Sequence, residues 1–435
     1  MAAKKKEEKN EKEAAPKVFT PLTPAQKKAL ITQKVAAINK SFKKTVVATA
    51  DKVQNGFFLR HPTGIMDLDI DLAGGFPPGV SMISGADGVG KSHLVYRTMA
   101  MHQRIYGERS AIALAAVESP IDHFFMRKLG VIIAVPDSAI EERNDWRRQH
   151  GLPAFTKDEV KELKRQVGTF LDISGADMED TLMIIQSLLE DDRFRHPDNQ
   201  FGIIAVDSLN ALIPKAWAQV DLDEEQRRGA HAIAIQRFFA QTYPVWTALD
   251  KPPLYTSLLF TQQVRANSAK GTAPKHIAQY LPDATPAMGS YAARHGKLID
   301  IHLYTGGKMK EKLSEEERKG RTAKAEITQK VLGWEITKGK AGTHEGITGE
   351  VVFDFDQEDY IDLQRTILVS GMRHGVLQEK AGKFTFVDPV TGLDSEKIKD
   401  VPADELLRQL KENPEFEIEM RLSILRAAGV ECRYI

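Results

Sequence analysis

The sequence has a single cysteine, Cys432, among 435 residues, which excludes an intramolecular disulfide. It also has no run approaching the roughly 20 apolar residues that a membrane-spanning helix requires. These absences exclude a disulfide-stapled scaffold and a helical membrane protein. We therefore expect a soluble protein of the reducing cytoplasm.

An excess of charge of either sign is also absent, because 60 Lys and Arg residues balance 60 Asp and Glu residues. A global basic field is excluded, so any contact with nucleic acid has to come from local patches. The first 17 residues mix Lys and Glu without an apolar run, unlike a signal peptide or a transit peptide. We expect residues 1–20 to form a solvated, disordered tail.

The most informative feature that is present is the segment GADGVGKS at residues 85–92, here called the glycine loop. It matches G-x-x-x-x-G-K-[ST] at every defined position. An apolar strand pattern precedes it at residues 80–84, and a helical pattern follows it to about Gly107. The alternative of an ordinary glycine turn is disfavoured because both flanks fit a phosphate-binding loop.

The residue types of the glycine loop suit phosphate chemistry. Gly85, Gly88 and Gly90 allow successive backbone N–H groups to face phosphate oxygens at the positive end of the next helix. Lys91 would then reach the β- and γ-phosphates, and Ser92 would ligate Mg²⁺. The sequence therefore predicts a nucleoside triphosphate site.

Residues 56–358 alternate apolar strand patterns with helical patterns, which predicts an α/β fold with a mostly parallel twisted sheet covered on both faces. The predicted strands are residues 80–84, 111–117, 202–207, 257–261, 298–304 and 332–337. Two polar inserts, residues 141–166 and 306–330, interrupt this pattern. Both inserts are predicted to be solvated surface segments with some helix.

The regions on either side of this core have their own patterns. Thr23, Pro24 and Gln26 form a helix-start signature, so residues 21–55 are predicted to hold a helix that ends near Phe42. Its apolar stripe has to pack against the protein's own core or a neighbouring subunit; it consists of Ile31, Val35, Ile38 and Phe42. Residues 359–435 predict a small α+β domain, with a strand in 383–388 and helices at 403–413 and 415–428.

Two carboxylates follow apolar strand patterns downstream of the glycine loop. Asp207 ends FGIIAVD, and such an aspartate holds Mg²⁺ in enzymes with this loop. Glu118 follows AIALAAV and would face the γ-phosphate, where it could deprotonate the attacking water. From the residues alone, each carboxylate could instead begin a turn or cap a helix.

Taken in order, six segments resemble the RecA family of homologous recombinases. They are TGIMDLDIDLAGGFPPG (63–79), GADGVGKS (85–92), VESPIDHFFMRKLGV (117–131), IIAVDSLNALIPK (203–215), LLFTQQVR (258–265) and WEITKGK (334–340). The resemblance implies a RecA-like P-loop NTPase core, an N-terminal polymerisation helix and a C-terminal α+β domain of the bacterial type.

The resemblance also implies ATP and Mg²⁺ as ligands and assigns roles to site residues. Glu118 takes the place of the catalytic glutamate, with Lys91 on the phosphates and Gln263 sensing the γ-phosphate, while Ser92 and Asp207 serve the metal. Asp122 and Phe125 would hold the adenine, although Phe124 is an equal candidate for stacking. The full set of implied nucleotide-binding residues is Gly85, Ala86, Asp87, Gly88, Val89, Gly90, Lys91, Ser92, His93, Asp122 and Phe125, with Lys338 and Lys340 supplied to a neighbouring subunit.

Two segments correspond to the DNA-binding loops of the family, at about residues 216–229 and 265–289. From the residues alone, a solvated surface loop is the alternative for each. The implied DNA-binding residues are Trp217, Arg227 and Arg228 in the first segment, and Arg265, Lys270, Lys275 and Tyr280 in the second. The implied partners are single-stranded and double-stranded DNA, further copies of the chain in a helical filament, and a single-strand-binding protein or loader.

The predicted function is that of an ATP-dependent recombinase, a DNA-dependent ATPase that exchanges strands in recombination and repair. The alternatives are an accessory RecA-like paralogue or loader without strand exchange, and a hexameric RecA-fold helicase motor. Asp87 and Ser92 stand where bacterial RecA has Glu and Thr, which indicates a divergent member.

Overall fold

The computed structural model describes residues 23–49, 59–195, 199, 201–215, 230–266, 284–286, 296–310, 327–354, 361–389, 391–393 and 398–430. The chain divides into two compact units, Met1–Val53 and Gln54–Ile435. The described α-helices are α1 (Pro24–Phe42), α2 (Met66–Asp71), α3 (Lys91–Tyr106), α4 (His123–Lys128), α5 (Asp137–Gln149), α6 (Lys157–Leu163), α7 (Met178–Glu190), α8 (Ala230–Trp246), α9 (Leu363–Arg373), α10 (Ala403–Glu412) and α11 (Pro414–Ala427). The described strands are β1 (Gly79–Gly85), β2 (Ala111–Ala116), β3 (Thr169–Asp172), β4 (Ile203–Asp207), β5 (Ser257–Ala266), β6 (Ala284–Pro286), β7 (Ile299–Lys310), β8 (Ile327–Lys338), β9 (Thr348–Asp354), β10 (Leu377–Lys380), β11 (Lys383–Phe386) and β12 (Val401–Pro402).

Helix α1 is the main element described in the first unit. Its predicted start is confirmed, because the Thr23 hydroxyl accepts a hydrogen bond from the Gln26 backbone N–H at 3.3 Å while the Gln26 side chain accepts one from the Thr23 N–H at 3.0 Å. The helix ends at Phe42, as predicted. No residue of α1 is buried, and Phe42 is 63% exposed. Its apolar stripe is therefore available for a further contact.

Within the described residues of the second unit, eight strands form one sheet in the order β3-β2-β4-β5-β1-β7-β8-β9, and β6 pairs with β5 outside this order. In this order, each pair of neighbours from β3 through to β7 is parallel. Strand β8 is antiparallel to both of its neighbours, β7 and β9. All six predicted strands form, which confirms the α/β class with a mostly parallel sheet. The sequence does not predict β3, β6 or β9, which are short or lie at an edge of the sheet and carry a weaker apolar signal.

Alternating side chains of β1, β2, β4 and β5 enter two separate hydrophobic cores, one on each face of the sheet. In β2, Ile112 and Leu114 join the core that includes helix α3, while Ala113 and Ala115 join the core that includes α7 and α8. Because both faces are covered, these strands read as continuous apolar runs rather than as alternating ones. This double burial explains why they are recognisable in the sequence.

The two polar inserts behave differently. The first insert (141–166) contains most of α5 and all of α6, and Ile140 is the one buried residue of these two helices, which confirms a surface segment with helix. The second insert (306–330) is strand at both of its described ends, which the sequence did not predict. Residues 306–310 and 327–330 extend the β7–β8 pair, so the ladder satisfies their backbone hydrogen bonds. Residues 311–326 lie outside the described part of the chain.

The last part of the chain forms a three-stranded antiparallel sheet, β10-β11-β12, with α9, α10 and α11. It has a hydrophobic core of its own, which includes Leu406, Met420 and Ile424 and which Met66 of α2 also enters. The predicted second helix appears as α11 and ends just before Gly429. Helix α2 therefore packs against this region through Met66 and contributes Leu68 to a core beside the main sheet.

Buried ionic groups join α11 to α2 and α3. Arg421 and Asp69 have side chains only 2% and 0% exposed, and their nearest N and O atoms are 3.5 Å apart. Burial raises the pKa of Asp69 to about 6, although the charge of Arg421 and hydrogen bonds from Thr63 and Gly64 oppose this. Glu417 accepts two hydrogen bonds from Arg104 of α3. Charged groups therefore help to fix α11 against the rest of the unit.

We predict that Arg421→Met lowers the free energy of unfolding by about 3 kcal/mol or more, because it leaves Asp69 buried without its cation. Urea unfolding followed by circular dichroism measures the change. Arg408→Met is the control in the same region, since Arg408 pairs with Glu405 and Glu412 at the surface and should leave stability unchanged. Equal losses in both variants would contradict the prediction.

Candidate functional site

Four strand ends meet at one edge of the sheet. Because β2, β4, β5 and β1 are parallel neighbours, their carboxyl ends lie side by side. Gly85 at the end of β1 is in register with Gln263 on β5, and Ala116 on β2 is in register with Asp207 on β4. Just beyond β2, the Glu118 backbone N–H donates to the Asp207 carbonyl at 3.2 Å. The structure thus brings together the glycine loop, Glu118, Asp207 and Gln263, which the sequence predicted as one site.

The glycine loop connects β1 to α3 through two residues with positive φ. Gly88 has φ +66° and Gly90 has φ +113°, in the region that favours glycine. Gly90 precedes the first residue of α3, so the loop ends at the N-terminus of a 16-residue helix. The unpaired N–H groups of that turn and the helix dipole favour an anion at this position.

Lys91 lies inside the loop and is 6% exposed. Its ammonium group donates hydrogen bonds to the backbone carbonyls of Gly85 and Ala86, at 3.1 and 2.8 Å. Burial lowers the pKa of Lys91, while the nearby charges of Asp87, Glu118 and Asp207 act in the opposite direction. The lysine is thus a buried cation whose present acceptors are neutral carbonyl oxygens.

Asp207 is 6% exposed, and one of its oxygens accepts a hydrogen bond from the Thr261 hydroxyl at 2.5 Å. It lines the same cleft as Ser92. Among the described residues, no group of three or more His, Cys, Asp or Glu side chains could hold a metal ion. A hydroxyl with one carboxylate nevertheless suits Mg²⁺, which usually takes its other ligands from water and phosphate. Ser92 and Asp207 therefore fit a magnesium ion that arrives with a polyphosphate.

Glu118 and Gln263 are hydrogen-bonded to each other. The Gln263 side-chain amide donates to a Glu118 carboxylate oxygen at 2.9 Å, across 145 positions of sequence. The Gln263 backbone N–H donates to the Asn210 side chain at 3.1 Å, which fixes the end of β5 to the segment after β4. The geometry thus couples a carboxylate that can take a proton to a neutral amide at the end of a strand.

The glycine loop, Glu118 and Asp207 line a cleft of about 260 Å³, here called the loop cleft. The sequence did not predict three of its lining residues, which are Ser119, Lys330 and Phe353. Lys330 belongs to the second insert, and Phe353 belongs to β9, which was not predicted either. The order of the strands in the sheet brings both residues to the loop, and no local pattern signals it.

His93 lines the loop cleft, and Phe125, which was assigned to the adenine, packs against it. The His93 ring packs edge-on against Phe125 and Phe353, with centroids 5.0 and 5.3 Å apart. Burial, together with the charges of Arg97 and Lys330, lowers the pKa of His93 to about 4. His93 is therefore neutral near pH 7 and contributes packing to the cleft rather than charge.

The structure separates the two neighbouring phenylalanines on α4. Phe125 faces His93, whereas Phe124 stacks on Phe155 of the first insert with centroids 6.1 Å apart. Asp122 caps α4, because its carboxylate accepts a hydrogen bond from the Phe125 N–H at 2.9 Å. Of the two rings, Phe125 is therefore the one placed beside the loop cleft.

Lys338 and Lys340 lie away from the loop of their own chain. Lys338 is the last residue of β8, and Lys340 follows it. Lys330 lies near the start of the same strand, and the eight residues from Lys330 to Lys338 span about 26 Å. Burial lowers the pKa of Lys338, and the charges of Lys340 and Lys297 lower it further. Of the predicted DNA-binding residues, Arg265 is in β5, where it is in register with Thr285 of β6. The others lie outside the described residues; these are Trp217, Arg227, Arg228, Lys270, Lys275 and Tyr280.

No protein-family model matches this chain, and a search of curated proteins found no similar sequence. In the part of the chain that the structure describes, no helix has the length and apolar character needed to cross a bilayer. What the site does is therefore argued from its own residues.

Proposed function

We propose that this chain is an ATP-dependent DNA recombinase of the RecA type. It would assemble into a helical filament on single-stranded DNA, pair that strand with homologous duplex and exchange strands. ATP bound at the loop cleft with Mg²⁺ would hold the active filament, and hydrolysis would release it. The cytoplasm of a bacterial or phage-infected cell is the proposed location.

The hydrogen bond between Gln263 and Glu118 is the observation that carries this proposal. It links the proposed catalytic carboxylate to β5, whose last two residues begin the second proposed DNA-binding segment, at about residues 265–289. The first proposed segment, residues 216–229, follows β4, which is the neighbour of β5. Both segments therefore connect to the strand ends that form the loop cleft, which supports communication between nucleotide and DNA.

Hydrolysis can be derived from the residues around the loop cleft. Lys91 and the loop N–H groups would bind the phosphates and stabilise the charge that develops on the transferred phosphoryl group. Glu118 would accept a proton from water while the water oxygen attacks the terminal phosphorus, and the products are ADP, phosphate and a proton. When bound, Mg²⁺ near Ser92 and Asp207 supplies further positive charge.

Gln263 would act as the sensor of the terminal phosphate. Its amide can donate either to Glu118, as it does here, or to a phosphate oxygen, without adding charge to the site. The presence of the terminal phosphate would thus favour one position of the end of β5 over another. This is a ligand-biased switch between two states.

Assembly would complete the site from a second subunit. Lys338 is the last residue of β8, at the end opposite to Lys330, and Lys340 follows it, so we assign both to the phosphates of a neighbouring subunit. The exposed apolar residues of α1 would supply a packing surface for that assembly; they include Leu30, Ile31, Ile38 and Phe42. ATP binding and filament formation would then depend on each other.

A strand-exchange assay with purified protein, ATP and Mg²⁺ tests the proposal directly. Formation of joint molecules from homologous, but not heterologous, DNA is the expected result. Electron microscopy with single-stranded DNA and a slowly hydrolysed ATP analogue distinguishes the alternatives. Helical filaments that fail in exchange would indicate an accessory paralogue or loader, and closed rings would indicate a helicase motor.

We predict that Gln263→Ala uncouples ATP from DNA. The variant should keep its affinity for ATP, whereas single-stranded DNA should no longer stimulate its ATPase, because the link between Glu118 and β5 is lost. Steady-state phosphate release with and without DNA measures this. Gln186→Ala is the control, since Gln186 donates a similar amide hydrogen bond to Glu190 on the surface of α7. Normal stimulation of Gln263→Ala would refute the switch.

A further inference from the structure

A second lysine contacts the glycine loop in addition to Lys91. Lys330 on β8 is paired in register with Lys308 on β7 and with Phe353 on β9. Its ammonium group donates a hydrogen bond to the Gly88 carbonyl, although 242 positions separate the two residues. Lys330 also lines the loop cleft, so its charge lies at the site where phosphate is proposed to bind.

The two lysines are held in the same way. Lys91 donates to the carbonyls of Gly85 and Ala86, and Lys330 donates to the carbonyl of Gly88. An ammonium group binds an anionic phosphate oxygen more strongly than a neutral carbonyl, because both partners are then charged. A phosphate that enters the loop cleft therefore offers each lysine a better acceptor than the one it has.

The charges around the loop cleft give an independent reason for a second cation. Among the described residues that line the cleft, the carboxylates are Asp87, Glu118 and Asp207, and the ammonium groups are those of Lys91 and Lys330. Without Lys330, three negative charges would face a single positive one. The net charge of these groups would change from −1 to −2, so an entering polyphosphate would meet stronger repulsion, at a cost in affinity.

We propose that Lys330 is a phosphate-binding residue for nucleoside diphosphates and triphosphates, which exchanges the Gly88 carbonyl for a phosphate oxygen when nucleotide binds. The inference rests on the proposed function, because it requires the loop cleft to bind nucleotide. Lys330 serves the site of its own chain, whereas Lys338 and Lys340 at the other end of β8 are assigned to a neighbouring subunit. One strand would thus connect two successive nucleotide sites.

Equilibrium binding of ATP and ADP to the full chain in Mg²⁺, measured by titration calorimetry, tests this assignment. Lys330→Met keeps the aliphatic stem and removes the charge, so we expect Kd for both nucleotides to rise roughly tenfold or more. Lys330→Arg keeps the charge and should restore most of the affinity. Lys383→Met removes an exposed lysine from β11 and should bind as the wild type does. The melting temperature without nucleotide should be the same in all four proteins.

Different outcomes separate this inference from the proposed function. If the wild type binds nucleotide and Lys330→Met binds it equally well, the inference alone is wrong. If Lys330→Met weakens binding but also lowers the nucleotide-free melting temperature, and Lys330→Arg does not restore affinity, Lys330 supports the loop instead and the assignment fails. If the wild type binds neither ATP nor ADP, the proposed function fails together with the inference.

Discussion

Lys91→Ala is expected to abolish nucleotide-dependent filament formation and to lower kcat/KM for ATP by roughly 1000-fold. The lysine is the buried cation of the glycine loop, and its ammonium group already lies within 3.1 Å of two loop carbonyls. Removing it takes away charge that would stabilise the phosphoryl group both in the bound state and during transfer. Phosphate release and electron microscopy with single-stranded DNA measure the two effects.

Lys251→Ala is a suitable control for Lys91→Ala. Lys251 forms a surface ion pair with Asp192 at 2.7 Å and lines no part of the loop cleft. This variant should hydrolyse ATP and form filaments like the wild type. If Lys91→Ala still forms filaments in an ATP-dependent manner, the glycine loop has no part in the proposed mechanism.

Glu118→Gln is expected to slow ATP hydrolysis by at least about 100-fold while ATP and DNA binding remain. Glutamine keeps the size of the side chain and can still hydrogen-bond to Gln263, but it cannot accept a proton from water. The expected result is therefore a loss in kcat with little change in the Kd for ATP. Filaments of this variant should also persist longer after ATP is added, since hydrolysis is proposed to release them.

Glu108→Gln provides the matched control, because Glu108 precedes β2 at the end of the strand opposite to Glu118. Its carboxylate accepts only a long hydrogen bond from the Gly168 N–H, at 3.4 Å. Turnover in this variant should equal that of the wild type. Near-normal hydrolysis by Glu118→Gln would exclude Glu118 as the general base.

Much of the fold is predictable from the sequence because the signals are local. Four of the six predicted strands, β1, β2, β4 and β5, are apolar runs covered on both faces, whereas β7 and β8 place their buried apolar side chains in one core. The start of α1 depends on residues three positions apart. The second insert shows where such signals end. Its charged residues predict a solvated segment, but pairing between β7 and β8 extends through 306–310 and 327–330. Pairing with a distant strand overrides local composition there.

The candidate site divides in the same way. A local pattern identifies the glycine loop, whereas a strand-end carboxylate alone leaves Glu118 and Asp207 open to a role as turn or cap residues. Their position beside the loop follows from the strand order β2-β4-β5-β1. The choice of Phe125 over Phe124 likewise depends on helix α4, which turns one ring toward His93 and the other toward Phe155.

The sequence by itself determined the glycine-loop pattern of residues 85–92, on which the proposed phosphate binding rests, and the alternation of strands and helices, because both depend on residues close together in the chain. Only the tertiary structure decided that Gln263 bonds to Glu118, that Lys330 reaches Gly88, and that Lys338 pairs with Asp300 at the other end of β8. These relations join residues of separate strands. They depend on the order of the strands in the sheet and on the direction of each strand. Both are fixed by the packing of the whole sheet.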